Sequence, residues 1–225
     1  MKNECIDCVC VIKSMHTLQN CQVEELEHNH AVVKFKKGNF IIRQGMFSTN
    51  VVFLRKGVAK IHIAGPYREQ IVRLVKGPTY LGLPTTFGDK INQYSVTAVL
   101  DCEACFIDLN VFKAILDDNR NFSSFIIQAL SKSELESYRR CANRTQKQAR
   151  GNLADVLLDF SDHIFNSDEF FLPISQSDIG NWVDASRESI NRILSEFISD
   201  DIIAMNGRKI TIKNKSLLQL ISQNG

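Results

Sequence analysis

The segment SRESINRILSEF (186–197) places Arg187, Glu188, Asn191 and Arg192 on the polar side of a helical pattern. These side chains can read base edges. Arg donates two parallel bonds to guanine, Glu accepts from cytosine, and Asn pairs with the edge of adenine. Ser195 shares this face, and Ser186 stands just before it, where a hydroxyl caps a helix. On the other side Ile190, Ile193, Leu194, Phe197 and Ile198 recur at i, i+3, i+4, i+7 and i+8, an apolar stripe that faces a core. Upstream, Ser175 followed by Asp178 has the spacing of a capping box, opening a helix that turns Ile179, Trp182 and Val183 inward. Asp184-Ala185-Ser186 makes a tight turn, since Asp tolerates left-handed backbone better than most residues. Downstream, IIAMNGRKITIK reads as two strands joined at Asn206-Gly207, with Arg208 and Lys209 at the tip in reach of phosphate. Helix, turn, exposed reading helix and hairpin within 173–213 form a winged helix-turn-helix, and they point to double-stranded DNA.

A second set of reactive residues is cysteine. Of seven, Cys5, Cys8, Cys10 and Cys21 crowd the first 21 residues, while Cys102, Cys105 and Cys141 lie further on. In a reducing compartment such crowding suggests a metal, a cluster or a redox thiol rather than a disulfide framework, and inert thiols are the plain alternative.

Several elements must position these groups. Residues 1–30 form a short segment bearing Cys and His, with a helical stretch around Val23–Asn29. From 31 to about 109 apolar runs such as VVFLRKG, VAKIHIAG and QIVRLVKG alternate with glycine-containing turns, the pattern of a sandwich or barrel. Within Val58–Ile63, Ala59, Ile61 and Ile63 are expected inward, with Lys60 and His62 outward. A short helix covers VFKAILDD, and a long one runs from about 121 to 147. Phe122, Phe125, Ile126, Ala129 and Leu130 stripe its first half, while its second half is basic. The apolar half suits packing against a second copy, or against the chain's own β region. A further amphipathic helix spans Gly151–Phe165. The expected domains are thus 1–30, 31–118, 119–150 and 151–225.

Charge divides unevenly. Residues 1–150 carry 21 Lys/Arg and 14 Asp/Glu, whereas 151–225 carry 6 and 11. DNA-binding segments are usually basic, so cations here must be placed locally. No apolar run approaches the ~18 residues that span a bilayer, and MKNECIDCVC lacks the apolar stretch of a secretory leader, so a cytoplasmic chain without membrane contact is expected. No phosphate-cradling glycine loop, nucleophile elbow or metal-hydrolase motif is present, so an enzyme is not expected.

From about residue 18 onward the chain resembles the catabolite activator/fumarate–nitrate regulator (CRP/FNR) family. FKKGNFIIRQG, VVFLRKGVAKI and VRLVKGPTYLGL resemble its glycine-spaced β-roll, SRESINRIL its recognition helix, and GRKITI its wing. The resemblance implies an α+β fold: an N-terminal, jelly-roll-like β-roll sensor, a long dimerisation helix and a C-terminal winged helix-turn-helix. It implies a transcription regulator acting as a homodimer on a two-fold symmetric operator, with RNA polymerase as a further partner. Arg187, Glu188 and Arg192 match its base-contacting positions, so half-sites with a GA-containing core are expected. Members that bind cyclic AMP carry a Gly-Glu pair and an Arg-Ser pair in the roll. In this chain Gly82 is followed by Leu83, and Tyr94-Ser95 stands in place of Arg-Ser. Burying a cyclic phosphate without the Arg would be costly, so cyclic AMP is not the expected effector. A small organic ligand near Leu81, Gly82, Leu83, Tyr94 and Ser95 is one alternative.

The oxygen-sensing branch holds an iron–sulfur cluster, which needs four thiolates. Cys5, Cys8 and Cys105 match that branch in part, with either Cys10 or Cys21 as the fourth, although the spacing of those two departs from its pattern. Zinc can use the same set. Haem is a further option through His16, His28, His30 or His62. From a different functional class, the chain could be a ligand-binding module acting through protein–protein contacts. An exposed Arg187, Glu188 and Arg192 argue against it.

Overall fold

Strand period decides how the N-terminal half is built. In Asn50–Lys56 the stretch Val51, Val52, Phe53 and Leu54 is buried on both faces, which requires a layer on each side. The computed structural model describes residues 17–225 and supplies those layers. Its strands are β1 (His30–Phe35), β2 (Phe40–Ile42), β3 (Asn50–Lys56), β4 (Val58–Ala64), β5 (Glu69–Lys76), β6 (Thr79–Leu81), β7 (Ser95–Ala98) and β8 (Cys102–Asp108). They form two four-stranded sheets, in the orders β1-β8-β3-β6 and β2-β7-β4-β5. Antiparallel registers such as Val32↔Cys105 and Phe53↔Cys105 bring the flanking strands onto β8.

Three helices close one face of the first sheet: α1 (Asn20–His28), α3 (Leu109–Asp118) and the start of the long α4 (Arg120–Gln146). Leu26, Val51, Phe53, Leu83, Cys105, Ile107, Phe112, Ile115, Phe122 and Ile126 form one buried cluster there. Phe112 is edge-on to both Tyr80 and Phe122, at centroid distances of 5.7 and 5.4 Å. Each fully buried large side chain of this kind contributes about 1.5–3 kcal/mol. A five-residue helix, α2 (Leu83–Phe87), interrupts the strands where the sequence pattern reads only β.

The apolar stripe of α4, expected to suit packing against a second copy, packs instead on the chain's own core. Phe122 and Ile126 are buried in the chain's own core, and Phe125 and Leu130 pack against it half-buried. Ile127 and Leu135 remain 61% and 66% exposed.

By contacts the chain resolves into two compact units. Among the described residues, one comprises residues 17–63 with Leu74–Glu136, and the other Ala64–Arg73 with Ser137–Gly225. The second holds α5 (Ala149–Asp159), a π-helical turn (Phe160–Phe165), β9 (Glu169–Phe171), α6 (Gln176–Val183), α7 (Arg187–Ser199), β10 (Ile203–Asn206), β11 (Lys209–Ile212) and α8 (Lys215–Asn224). The amphipathic stretch expected to end at Phe165 thus leaves α-geometry at Phe160. Its last turn instead packs Phe160 edge-on to Phe170 and Trp182.

Two expectations on the β region need correction. His62 is buried at 5% exposure, whereas Ile63 is 38% exposed. Burial of the imidazole is tolerable because its Nε2 lies 2.8 Å from Thr97 Oγ1 on the neighbouring β7. Ile63 and Ala64, the last two residues of β4, are both exposed.

Candidate nucleic-acid interface

The reading helix is set by three local devices. Ser175 caps α6: its Oγ accepts from the Asp178 N–H at 3.0 Å while the Asp178 carboxylate accepts from the Ser175 N–H at 3.1 Å. Asp184 ends that helix in the left-handed region (φ 61°, ψ 44°). Ser186 then caps α7, its Oγ accepting from Ser189 N at 3.1 Å. Each cap of this kind is worth about 1 kcal/mol.

A fourth device, Gly180, is not among the residues that the sequence pattern singles out. Its carbonyl accepts from Ala185 N at 3.0 Å, so the turn folds directly onto α6. A Cβ on Gly180 would lie 2.5 Å from the Ala185 carbonyl oxygen. A glycine inside the helical pattern, five residues before Ala185, is the sequence signal that marks this close approach.

On α7, Ile190, Ile193, Leu194 and Phe197 are buried. Ile198, expected with them, is instead 42% exposed, because it falls at the edge of the buried arc in the last turn. Arg187, Glu188, Asn191, Arg192 and Ser195 are all exposed on one element, as is the capping Ser186. The Glu188 carboxylate is held below the usual carboxylate range. Its own backbone N–H contributes most, then the Ser186 hydroxyl, then the charge of Arg187. It is therefore an ionised acceptor near neutral pH. Ser195 Oγ donates to Asn191 O at 3.0 Å.

The wing differs from expectation in its turn. Asn206 pairs with Lys209, so the two loop residues are Gly207-Arg208 and not Asn206-Gly207. Only Gly207 (φ 59°) has positive φ within this loop. A two-residue hairpin with positive φ at its first loop position alone needs Gly there, and Gly207 fills that place. A third strand, β9, joins the wing through β11, with Ile210 opposite Phe170.

The two wing cations are anchored. Arg208 Nη2 donates to the carbonyls of Leu172 (2.6 Å) and Ile174 (3.1 Å), and Lys209 Nζ sits 2.5 Å from Glu169 Oε1. An open groove of about 370 Å3 runs beside them, lined by Ser175, Gln176, Ser177, Arg187, Met205 and Arg208 among others. It joins the N-terminus of α6, the first turn of α7 and the wing.

Five carboxylates of residues 151–225 are paired with cations. Lys213 meets Asp201, Lys215 meets Asp162 and Asp168, and Arg150 bridges Glu196 and Asp200.

In the β-roll, Leu81 and Leu83 are buried on either side of Gly82, which caps α2 at φ 77°. The Thr85 and Thr86 hydroxyls both donate to the Gly82 carbonyl at 2.9 Å, and buried Ser95 Oγ accepts from Gln44 N at 3.0 Å. Tyr94 is half-buried. The Thr85, Thr86 and Ser95 hydroxyls are engaged with backbone groups, and none carries a charge. They do not fit a cyclic phosphate, which requires a cation.

Cys5, Cys8, Cys10 and His16 lie outside the described residues. Cys21 is exposed and Cys105 is buried in the core cluster. Among the described residues no group of three or more His, Cys, Asp or Glu is placed to hold a metal. Nor is any described helix long and apolar enough to cross a membrane.

Comparison with known proteins agrees with this architecture. Residues 32–119 match the model of the cyclic nucleotide-binding domain, and residues 151–221 that of the Crp-like helix-turn-helix domain. The transcriptional activator protein Anr of Pseudomonas protegens is 23% identical over 201 residues, covering 84% of this chain and 81% of its own. The transcriptional activator protein FnrA of Stutzerimonas stutzeri is 25% identical over 187 residues, covering 79% and 74%. The solved structure of FixK2 from Bradyrhizobium japonicum superposes with a TM-score of 0.78 at 16% identity, covering 85% of this chain and 96% of that one. With both domain models on one chain and a capped helix-turn-helix that exposes its polar face, the protein belongs to the CRP/FNR family of DNA-binding transcription regulators, which are not enzymes.

Proposed function

We propose that this regulator reads a two-fold symmetric operator as a homodimer, with Arg187, Glu188, Asn191 and Arg192 contacting base edges. The observation that carries the reading is the exposure of these four side chains on a helix whose opposite face buries Ile190, Ile193, Leu194 and Phe197. Arg and Glu together favour half-sites with a GA-containing core. The groove between the α6 N-terminus and the wing suits a backbone phosphate, with Ser175, Gln176 and Arg208 on its rim. Lys209 stands beside Arg208 in this role, and Ser186 and Ser195 border the base-reading face.

Dimerisation is placed on α4. Ile127, Leu135 and Tyr138 are exposed and fall within one ~80° arc at 100° per residue. RNA polymerase is the partner through which a regulator of this kind acts on transcription.

Control is placed in the β-roll or in the cysteines Cys5, Cys8, Cys10, Cys21 and Cys105, through an iron–sulfur cluster, another metal or thiol chemistry. The uncharged donors around Gly82 favour a signal other than a cyclic nucleotide.

The test is selection of binding sequences from random duplex by the purified protein, with and without oxygen. A palindromic consensus is expected. Arg192→Ala should then weaken the selected operator by ~1–3 kcal/mol while leaving random duplex nearly unchanged. Equal loss on both would refute base reading by Arg192.

A further inference from the structure

Arg192 does not project alone. Its Nη1 lies 2.5 Å from Glu196 Oε1, one helical turn further along α7. The other oxygen of the same carboxylate, Oε2, lies 2.6 Å from Arg150 Nη1 at the start of α5. Arg150 is itself fixed twice more. Its Nη2 donates to Asp200 Oδ2 at 3.0 Å, and its guanidinium carbon sits 4.9 Å from the centroid of the Phe197 ring. Phe197 is fully buried. The chain of contacts therefore runs from a buried ring, through a clamped guanidinium, through a shared carboxylate, to the exposed Arg192.

We propose that Glu196 is a positioning residue that sets the specificity of Arg192, an inference resting on the base-reading role assigned to Arg192 above. A guanidinium has five donors in a rigid fork. Glu196 engages one side of that fork and leaves the remaining N–H groups for a guanine edge. Because the carboxylate is tied to Arg150 on a separate helix, the guanidinium is held in one orientation before DNA arrives. Holding it so lowers the ordering cost on binding. The carboxylate has a second effect. Partial neutralisation of Arg192 makes it a weaker ligand for phosphates in general, which raises the contrast between the correct base and any stretch of backbone. A surface ion pair with stability as its only role would not need the second Arg, since exposed pairs contribute little.

The experiment uses the full-length protein and its selected operator, with every base pair of one half-site replaced in turn. Binding is read by fluorescence anisotropy at several salt concentrations. Glu196→Ala should cut discrimination about tenfold at one base pair, the same pair at which Arg192→Ala loses discrimination. It should also tighten random-duplex binding several-fold and steepen the salt slope by about one unit. Arg150→Ala should lower discrimination at that same pair. In an Arg192→Ala background, Glu196→Ala should remove no further discrimination, a result that a merely structural role would not give. Glu196→Gln keeps the shape without the charge, and should fall between wild type and Ala. It also serves as the test if the Ala variant does not fold, as checked by Trp182 fluorescence.

Unchanged discrimination in both Glu196 variants, or equal loss at every base pair, would overturn the inference while leaving the role of Arg192 intact. A wild-type protein that selects no sequence would overturn the base-reading proposal itself.

Discussion

Substituting Gly180 by Ala sets two physical effects of opposite sign against each other. In an isolated helix the change is favourable by about 0.8–1.0 kcal/mol, because Gly is a poor helix former. In this molecule the new Cβ would lie 2.5 Å from the carbonyl oxygen of Ala185, a backbone atom. That oxygen cannot rotate away as a flexible side chain would. The Ala185 N–H is bonded to the Gly180 carbonyl, and Asp184 holds left-handed geometry just before it. Relieving the overlap therefore moves the turn, at a cost of about 1–3 kcal/mol for overpacking. Stretching the Ala185–Gly180 hydrogen bond adds about 1 kcal/mol. The net expectation is a destabilisation of about 1–3 kcal/mol. The chain's single tryptophan, Trp182, lies two residues away and edge-on to Phe160, so its fluorescence reports this unit selectively. With a urea slope of about 2 kcal/mol/M, the midpoint of the Trp182 transition should fall by roughly 1 M. Operator binding should weaken as well, since the displaced turn carries α7 with it. A raised midpoint would show that helix propensity outweighs the contact, and would refute the close approach of turn and helix.

Arg208→Ala should do more than weaken DNA binding. Removing a guanidinium that serves the carbonyls of Leu172 and Ile174 should lower the stability of the C-terminal unit by about 1–3 kcal/mol, measured on the same Trp182 transition. Weaker DNA binding with unchanged stability would assign Arg208 to phosphate alone. Burial pushes the Cys102 thiol up to about 11, against an ordinary value of 9.0. It should therefore resist alkylation at pH 8, while exposed Cys21 and Cys141 react. Because its folded-state value is raised, the stabilisation is complete below pH 9 and is lost as pH rises towards 11. Cys102→Ala should flatten that alkaline decline in circular-dichroism melts, and an unchanged slope would remove Cys102 as its cause.

The helix-turn-helix was legible because its determinants are short-range. Ser175 reaches Asp178, Asp184 needs only its own backbone, and Ser186 reaches Ser189, so each device lies within four residues and carries its own signal. The β-roll was legible as a class, from strand-length apolar runs between glycines, and the long helix from its stripe. Less local features were not. His62 was assigned outward by alternation, yet Thr97 on another strand makes its burial tolerable. The wing turn moved by one residue because register is decided by pairing across the hairpin, with Asn206 opposite Lys209. Arg208 reads as a free wing cation until folding brings Leu172 and Ile174 beneath it.

By itself, then, the sequence determined where α7 begins and which side chains it exposes. Local backbone preferences and residue identity suffice for those. Tertiary structure alone decided how Arg192 is held, because Arg150 and Glu196 are 46 residues apart and no spacing rule connects them. It also decided that the stripe on α4 serves the chain's own core, with Phe122, Phe125, Ile126 and Leu130 packed there, since apolar periodicity names a buried face without naming what buries it.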